Sequence, residues 1–436
     1  MSTAIIEIND AGLRAAIDGN ICLTSPGYAV MDGDRLLVGE QGQKNARLLP
    51  RWTNNRFWNQ LNTDPLQGAT ETVRHHADLA FAHLEQVWTE LDGRADQAVF
   101  AVPGFYTRQQ LGLILGMAKE CGIAVAGLAD SSLAAVAGQA QNTTLLHLDI
   151  FLHRTTLTVL KAGTSLRRLE TLTVTDTGLF TLWDRWANTI AGQFIQASRY
   201  DPMHQAVSEQ RLYDTLPNWI AGLGRARAQT FELDLGTQSY EVVVSQDQLI
   251  SACATVYPQI VQLIREHVPA GEQACLFVSD RFRGFPGLED SLSLVTGADL
   301  VYLADSSVVE GVNRHLEFIT TREGPVSYTT SLPLRRTGAP AASREETARA
   351  THLLAGHQAF AIGTALPIAG VADGRPVLAE SNARCTLSQR GQETWLEVVS
   401  SEGITLNGRM ISGSTRLEPG DQVTIDNTTF TLISVS

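Results

Sequence analysis

The sequence predicts two α/β lobes followed by a small all-β sandwich, and three observations carry that prediction. Strand-like runs, turns and helical periodicities occur in one order over residues 1–139 and recur over 144–303. Over residues 331–352 the chain becomes small, Pro-containing and aperiodic around Gly338, Pro340 and Ser343, as a linker is. Beyond it, short apolar runs separated by turns recur about every ten residues, the spacing of a sandwich. The domain expectation is therefore 1–330, a linker at 331–352, and 353–436.

In the first lobe, residues 5–8 and 13–17 read as strands, and Asp18-Gly19 after them is a good hairpin turn. Residues 28–30 and 36–38 form a second hairpin around Asp32-Gly33-Asp34. From Thr70 to Leu91 a helix is expected, because Val73, Leu79, Phe81, Leu84, Val87 and Leu91 recur at helical spacing. The strand 98–102 stops at Pro103-Gly104, and helix 107–121, strand 123–126 and a small-residue helix 131–139 follow. In the second lobe, strands are expected at 144–149, 155–161, 169–175, 274–278 and 300–303. Helices are expected at 179–197, at 208–216 with Pro217 as its stop, at 245–267, and near 288–294.

Of the 436 residues, 44% are apolar and 18% charged, which excludes a disordered chain. The net charge of −13 argues against broad binding to nucleic acid or to an acidic membrane surface. Residues 4–8 are too short for a signal peptide and include Glu7, and no apolar run is long enough to span a bilayer. Five scattered cysteines without a CxxC pair read as reduced thiols in the cytoplasm. His75-His76 are adjacent and cannot both face one metal from a helix. No Ser-His-Asp or HExxH pattern is present.

Residues 25–40, the run 98–106 (Ala-Val-Phe-Ala-Val-Pro-Gly-Phe-Tyr), the following helix and Gly122-Ile123-Ala124-Val125, and the small-residue stretch 127–138 appear in the order of DnaK-type, 70-kilodalton heat-shock chaperones. The first 320 or so residues thus resemble the nucleotide-binding domain of the actin/DnaK superfamily, a two-lobed ribonuclease H-like fold. The resemblance implies ATP with magnesium between two glycine-rich phosphate hairpins, where backbone N–H groups meet the phosphates with no Cβ in the way. Here the first hairpin reads Glu7-Ile8-Asn9-Asp10-Ala11 and the second Asp149-Ile150-Phe151-Leu152-His153-Arg154. Acids survive while the glycines are gone, and Phe151 and Leu152 are expected to block the phosphate positions. Ser279-Asp280-Arg281-Phe282-Arg283-Gly284-Phe285-Pro286 replaces the adenosine loop, and Asp130 stands where the family has its catalytic glutamate. Glu7, Asp10, Asp130 and Asp149 are the vestigial nucleotide and magnesium positions that the resemblance implies. Read from the residues alone, Glu7 and Asp149 are acids at strand ends, solvated or capping, and Asp10 caps a turn.

Residues 353–436 resemble a forkhead-associated (FHA) domain through Ile362-Gly363, Ser381-Asn382-Ala383-Arg384, Ile404-Thr405-Leu406-Asn407-Gly408 and Leu417-Glu418-Pro419-Gly420-Asp421. The resemblance implies phosphothreonine reading by Ser381 and Arg384. Thr364 replaces the family's arginine, however, and Glu402 places a carboxylate where the phosphopeptide is held. The expected function is a non-catalytic scaffold for a protein partner, with no cofactor, no nucleic acid and no membrane span. The alternatives are an ATP-binding, slowly hydrolysing switch and a phosphopeptide adaptor.

Overall fold

The computed structural model describes residues 2–33, 35–66, 69–138, 144–223, 226–236, 238–269, 273–321, 324–334, 350–355, 358–372, 374–379, 381–390, 393–400, 403–407, 409–411, 413–417, 420–426 and 428–433. The chain divides into two compact units, residues 1–335 and 336–436.

The first unit contains two six-stranded mixed sheets. In the first sheet, Thr3–Glu7, Leu13–Ile17 and Asn20–Ser25 form an antiparallel meander, and Gln97–Val102 and then Ala124–Asp130 add in parallel on the other side of Thr3–Glu7. The second sheet repeats this order. Thr144–Ile150, Arg154–Ala162 and Ser165–Thr175 form the meander, and Ala274–Val278 and Ala298–Tyr302 add in parallel beside its first strand. The Asp18-Gly19 turn adopts positive φ at both residues, 51° and 80°, so Ile17 and Asn20 face each other across a tight hairpin.

One short stretch closes both sheets. Tyr328–Thr329 pairs in parallel with Ala124–Asp130, and three residues on, Ser331–Pro333 pairs antiparallel with Ser165–Thr175. The start of the expected linker is thus a strand, because the free edge of Ser165–Thr175 satisfies its backbone groups and Leu332, 1% exposed, enters the core. His352–Ala355, at the far end of that stretch, is also a strand, and residues 335–349 lie outside the described residues.

Helices cover the sheets where apolar periodicity directs them. Leu179–Ser198 buries Leu179, Leu182, Trp186, Ile190 and Phe194 along one stripe. Arg108–Glu120 starts with a capping box between Thr107 and Gln110. Three helix expectations are corrected. Ala206–Leu223 runs through Pro217, because Leu216, Trp219, Ile220 and Leu223 continue the buried stripe and Trp219 stacks on Phe231 at 4.7 Å. That burial offsets the lost backbone bond. The expected helix 245–267 is two, Gln246–Ala252 and Tyr257–Arg265, with Pro258 in the first turn of the second. The helix expected from residue 70 begins at His76, capped by His75. The hairpin Ala228–Asp234/Ser239–Ser245 was not foreseen.

The second unit is an eleven-stranded antiparallel sandwich among the described residues. Its six- and five-stranded sheets enclose one core that includes Leu353, Ile368, Leu387, Leu396, Val423 and Phe430. Among the described residues no helix is long and apolar enough to cross a membrane.

Candidate functional site

In each sheet of the first unit the turn after the first strand projects from the same end. The two turns, Ile8–Gly12 and Phe151–His153, meet. Asn9 uses its side chain twice. Its Oδ1 accepts from Ala11 N–H at 2.9 Å, shaping the turn, and its Nδ2 donates to Asp149 Oδ2 and to the Ile150 carbonyl, both at 3.1 Å. Asp10 Oδ1 accepts the Leu152 N–H at 2.7 Å.

The contact continues along the second turn. Phe151 lies edge-on to Phe105 with centroids 5.1 Å apart, and Leu152 packs with Tyr28 and Ala46. His153 Nε2 lies 3.0 Å from the Asn55 carbonyl. Arg154 donates to Asn59 Oδ1 at 2.6 Å and covers the Phe105 ring at 4.4 Å. Every residue from Asp149 to Arg154 therefore touches the first half of the unit. Phe151 and Leu152, expected to block the phosphate positions, are spent on cross-sheet packing, and the Asn9 and Asp10 side chains bond the backbone beside them.

A third loop supplies the counter-charge. After Ala274–Val278, the Asp280–Phe282 turn swings Arg281 inward until its side chain is 8% exposed. Arg281 donates to Glu7 Oε1 at 2.9 Å and to the Gly12 carbonyl at 3.1 Å, and it stands 4.0 Å from Asp149. Beside it, Arg14 grips Asp280 at 3.0 and 2.5 Å and reaches the Asp305 carbonyl at 3.0 Å. Glu7 and Asp149, 1% and 4% exposed, are thus buried, not solvated strand-end acids. Such burial is tolerable because each carboxylate has a partner of opposite charge or a hydrogen-bond donor.

The electrostatics follow the geometry. Burial pushes the Asp10 carboxyl up to about 6, against the Leu152 hydrogen bond and the charge of Arg154. Burial alone lowers the Arg281 pKa, but Glu7 and Asp149 outweigh it and hold the guanidinium more firmly protonated. Burial raises Asp280 while the Arg14 bond and charge pull it below the usual carboxylate value. His153 falls to about 4, through burial and then the nearby Arg56 charge. The cavity bordered by Glu7, His147, Asp149 and Arg281 measures about 10 Å³, room for one water. A neighbouring cleft of about 240 Å³, lined by Arg14, Trp183, Arg281, Arg283 and Phe285, is smaller than most small-molecule pockets.

No protein-family model and no curated protein matches this chain.

Asp130 belongs to a separate network. Its Oδ1 caps Ser131–Val136 through the Leu133 N–H at 2.9 Å. Its Oδ2 takes Arg168 at 2.7 Å and the Tyr328 hydroxyl at 2.9 Å. Gly104 makes room for this contact, since a Cβ there would lie 2.3 Å from Thr171 Oγ1 and 2.8 Å from Asp130 Oδ2. Among the described residues no group of three or more His, Cys, Asp and Glu side chains is arranged to hold a metal ion.

In the second unit, Ser381 lies exposed in a turn, and Arg384 Nη1 bonds both Asp426 oxygens at 2.7 and 2.8 Å. Glu402 lies outside the described residues. Sequence reasoning passed over Arg14, Arg168 and Asp426, and it quoted Arg281 only as part of an altered loop. The one available signal was the pair of arginines at 281 and 283, beside Asp280.

Proposed function

We propose that this chain is a non-catalytic scaffold for a protein partner, built on an actin/DnaK-like two-lobed domain and an FHA-like sandwich. The strand order shared by the two sheets of the first unit supports the actin/DnaK-like reading, and the eleven-stranded sandwich supports the FHA-like one. The observation that carries the functional reading is the docking of residues 149–154 on the first half of the unit.

In a nucleotide-dependent relative, the two turns must leave their N–H groups and acids to a phosphate and a hydrated magnesium. Here the Leu152 N–H is taken by Asp10, Asp149 by Asn9, and Glu7 by the Arg281 guanidinium. A guanidinium against the two acids competes with a divalent cation for the same negative charge. This donor set does not fit magnesium and a triphosphate, so no hydrolytic step is assigned. Five cysteines without a disulfide accord with a reducing compartment, and we place the protein in the cytoplasm.

The test is thermal denaturation with and without millimolar Mg-ATP, alongside a phosphate-release assay. The expected result is an unchanged Tm and no release. A Tm that rises with Mg-ATP, and does so less in Asp149→Asn, would overturn the reading, because a ligand held by the native state must stabilise it.

A further inference from the structure

The connection between helix Gly39–Asn45 and strand Thr53–Asn54 is basic in an acidic protein. Residues 44–56 contain Lys44, Arg47, Arg51 and Arg56 and no acid, in a chain of net charge −13. Two of these cations are committed elsewhere. Arg47 turns inward to stack over Tyr213 at 3.7 Å and bond Glu209 at 3.2 Å, and Lys44 pairs with Glu40 at 2.6 Å. Arg51 and Arg56 are exposed, and neither has an ion-pair partner among the described residues. Beside them Leu48 and Trp52 are 37% and 51% exposed.

The turn is held rigid. Thr53 Oγ1 donates to the Ala46 and Leu49 carbonyls at 3.0 and 2.9 Å, Trp52 N–H returns to Leu49 at 3.0 Å, and Pro50 opens a single 3₁₀ turn. Phe57 and Trp58 anchor the next residues in the core. A half-exposed tryptophan on a preorganised turn loses little conformational freedom on binding, and Trp and Arg dominate the energetic centres of protein interfaces.

We propose that residues 48–56 form a docking surface for an acidic segment of a partner protein, with carboxylates on Arg51 and Arg56 and an apolar side chain on Trp52 and Leu48. The proposal names the partner class for the scaffold reading and rests on it. Charge complementarity selects the occupant. Two guanidiniums match a short acidic stretch, whereas a nucleic acid needs a longer run of cations.

The test uses the full chain and a fluorescein-labelled peptide of alternating glutamate and leucine, read by fluorescence anisotropy. A lysine–leucine peptide and single-stranded oligothymidine serve as comparison probes. The glutamate–leucine peptide should bind, and weaken at least about tenfold in Trp52→Ala and in Arg51→Glu/Arg56→Glu. Binding should also weaken as salt rises from about 50 to about 300 mM. Unchanged Tm values in these surface variants would separate lost contact from lost folding.

The proposal is overturned if the glutamate–leucine peptide fails to bind, binds the variants equally, or binds no better than the lysine peptide. It is also overturned if oligothymidine competes equally, or if Trp52→Ala instead abolishes self-association seen by sedimentation. These outcomes are independent of the Mg-ATP experiment, which tests the scaffold reading by itself.

Discussion

The Leu152 N–H donates to Asp10 Oδ1 at 2.7 Å, tying the turn of one sheet to that of the other across 142 residues of chain. The carboxylate that accepts it is 3% exposed, so its ionisation is coupled to folding.

Asp10 titrates near 6 in the folded protein and near 3.8 unfolded. The folded state therefore holds the proton more tightly, and Asp10's contribution to stability falls as pH rises from about 4 through about 6. The loss is on the order of 2–3 kcal/mol. Asp10→Asn keeps an acceptor for Leu152 and removes the titration. The stability of Asp10→Asn relative to wild type should rise by that amount between pH 4 and 7, as measured by urea denaturation. A difference that stays flat would show that Asp10 does not titrate in this range.

Arg281 is the cation that the buried Glu7 depends on. Arg281→Met is expected to cost about 3–5 kcal/mol, because it strands a buried carboxylate. Glu7→Gln combined with Arg281→Met should recover part of that loss. A double-mutant cycle in urea measures the coupling, and purely additive losses would contradict the pairing.

Gly104→Ala forces a methyl group against Thr171 Oγ1 and Asp130 Oδ2. Neither neighbour is the loose end of a long side chain, so a loss of about 1–3 kcal/mol is expected, visible as a lower Tm. A neutral substitution would mean that the two sheets separate more easily at this contact than the packing implies.

Leu332 anchors the stretch that edges both sheets. Leu332→Ala should cost about 2–5 kcal/mol and accelerate amide exchange in both Ala124–Asp130 and Ser165–Thr175. Faster exchange in only one of these strands would show that the stretch does not couple them.

Much of the fold was legible because its signals are local. The Asp18-Gly19 hairpin and the helices expected at 179–197 and 107–121 each depend on residues a few positions apart. Pro217 misled because a local rule was overridden by packing against Phe231, which follows it by 14 positions. The strand Ser331–Pro333 was hidden for a related reason. Its partner Ser165–Thr175 lies far away in sequence, and a small, Pro-containing run carries no period of its own.

By itself, then, the amino-acid sequence determined the elements whose signals are local, such as the Asp18-Gly19 hairpin and the helix Leu179–Ser198. Only the tertiary structure decided what the four acids do: Glu7 pairs with Arg281, Asp149 with Asn9, Asp10 with a backbone N–H, and Asp130 with Arg168. The physical reason is that backbone preference acts between chain neighbours, whereas charge pairing and desolvation depend on distance in space, and Glu7 and Arg281 are 274 residues apart.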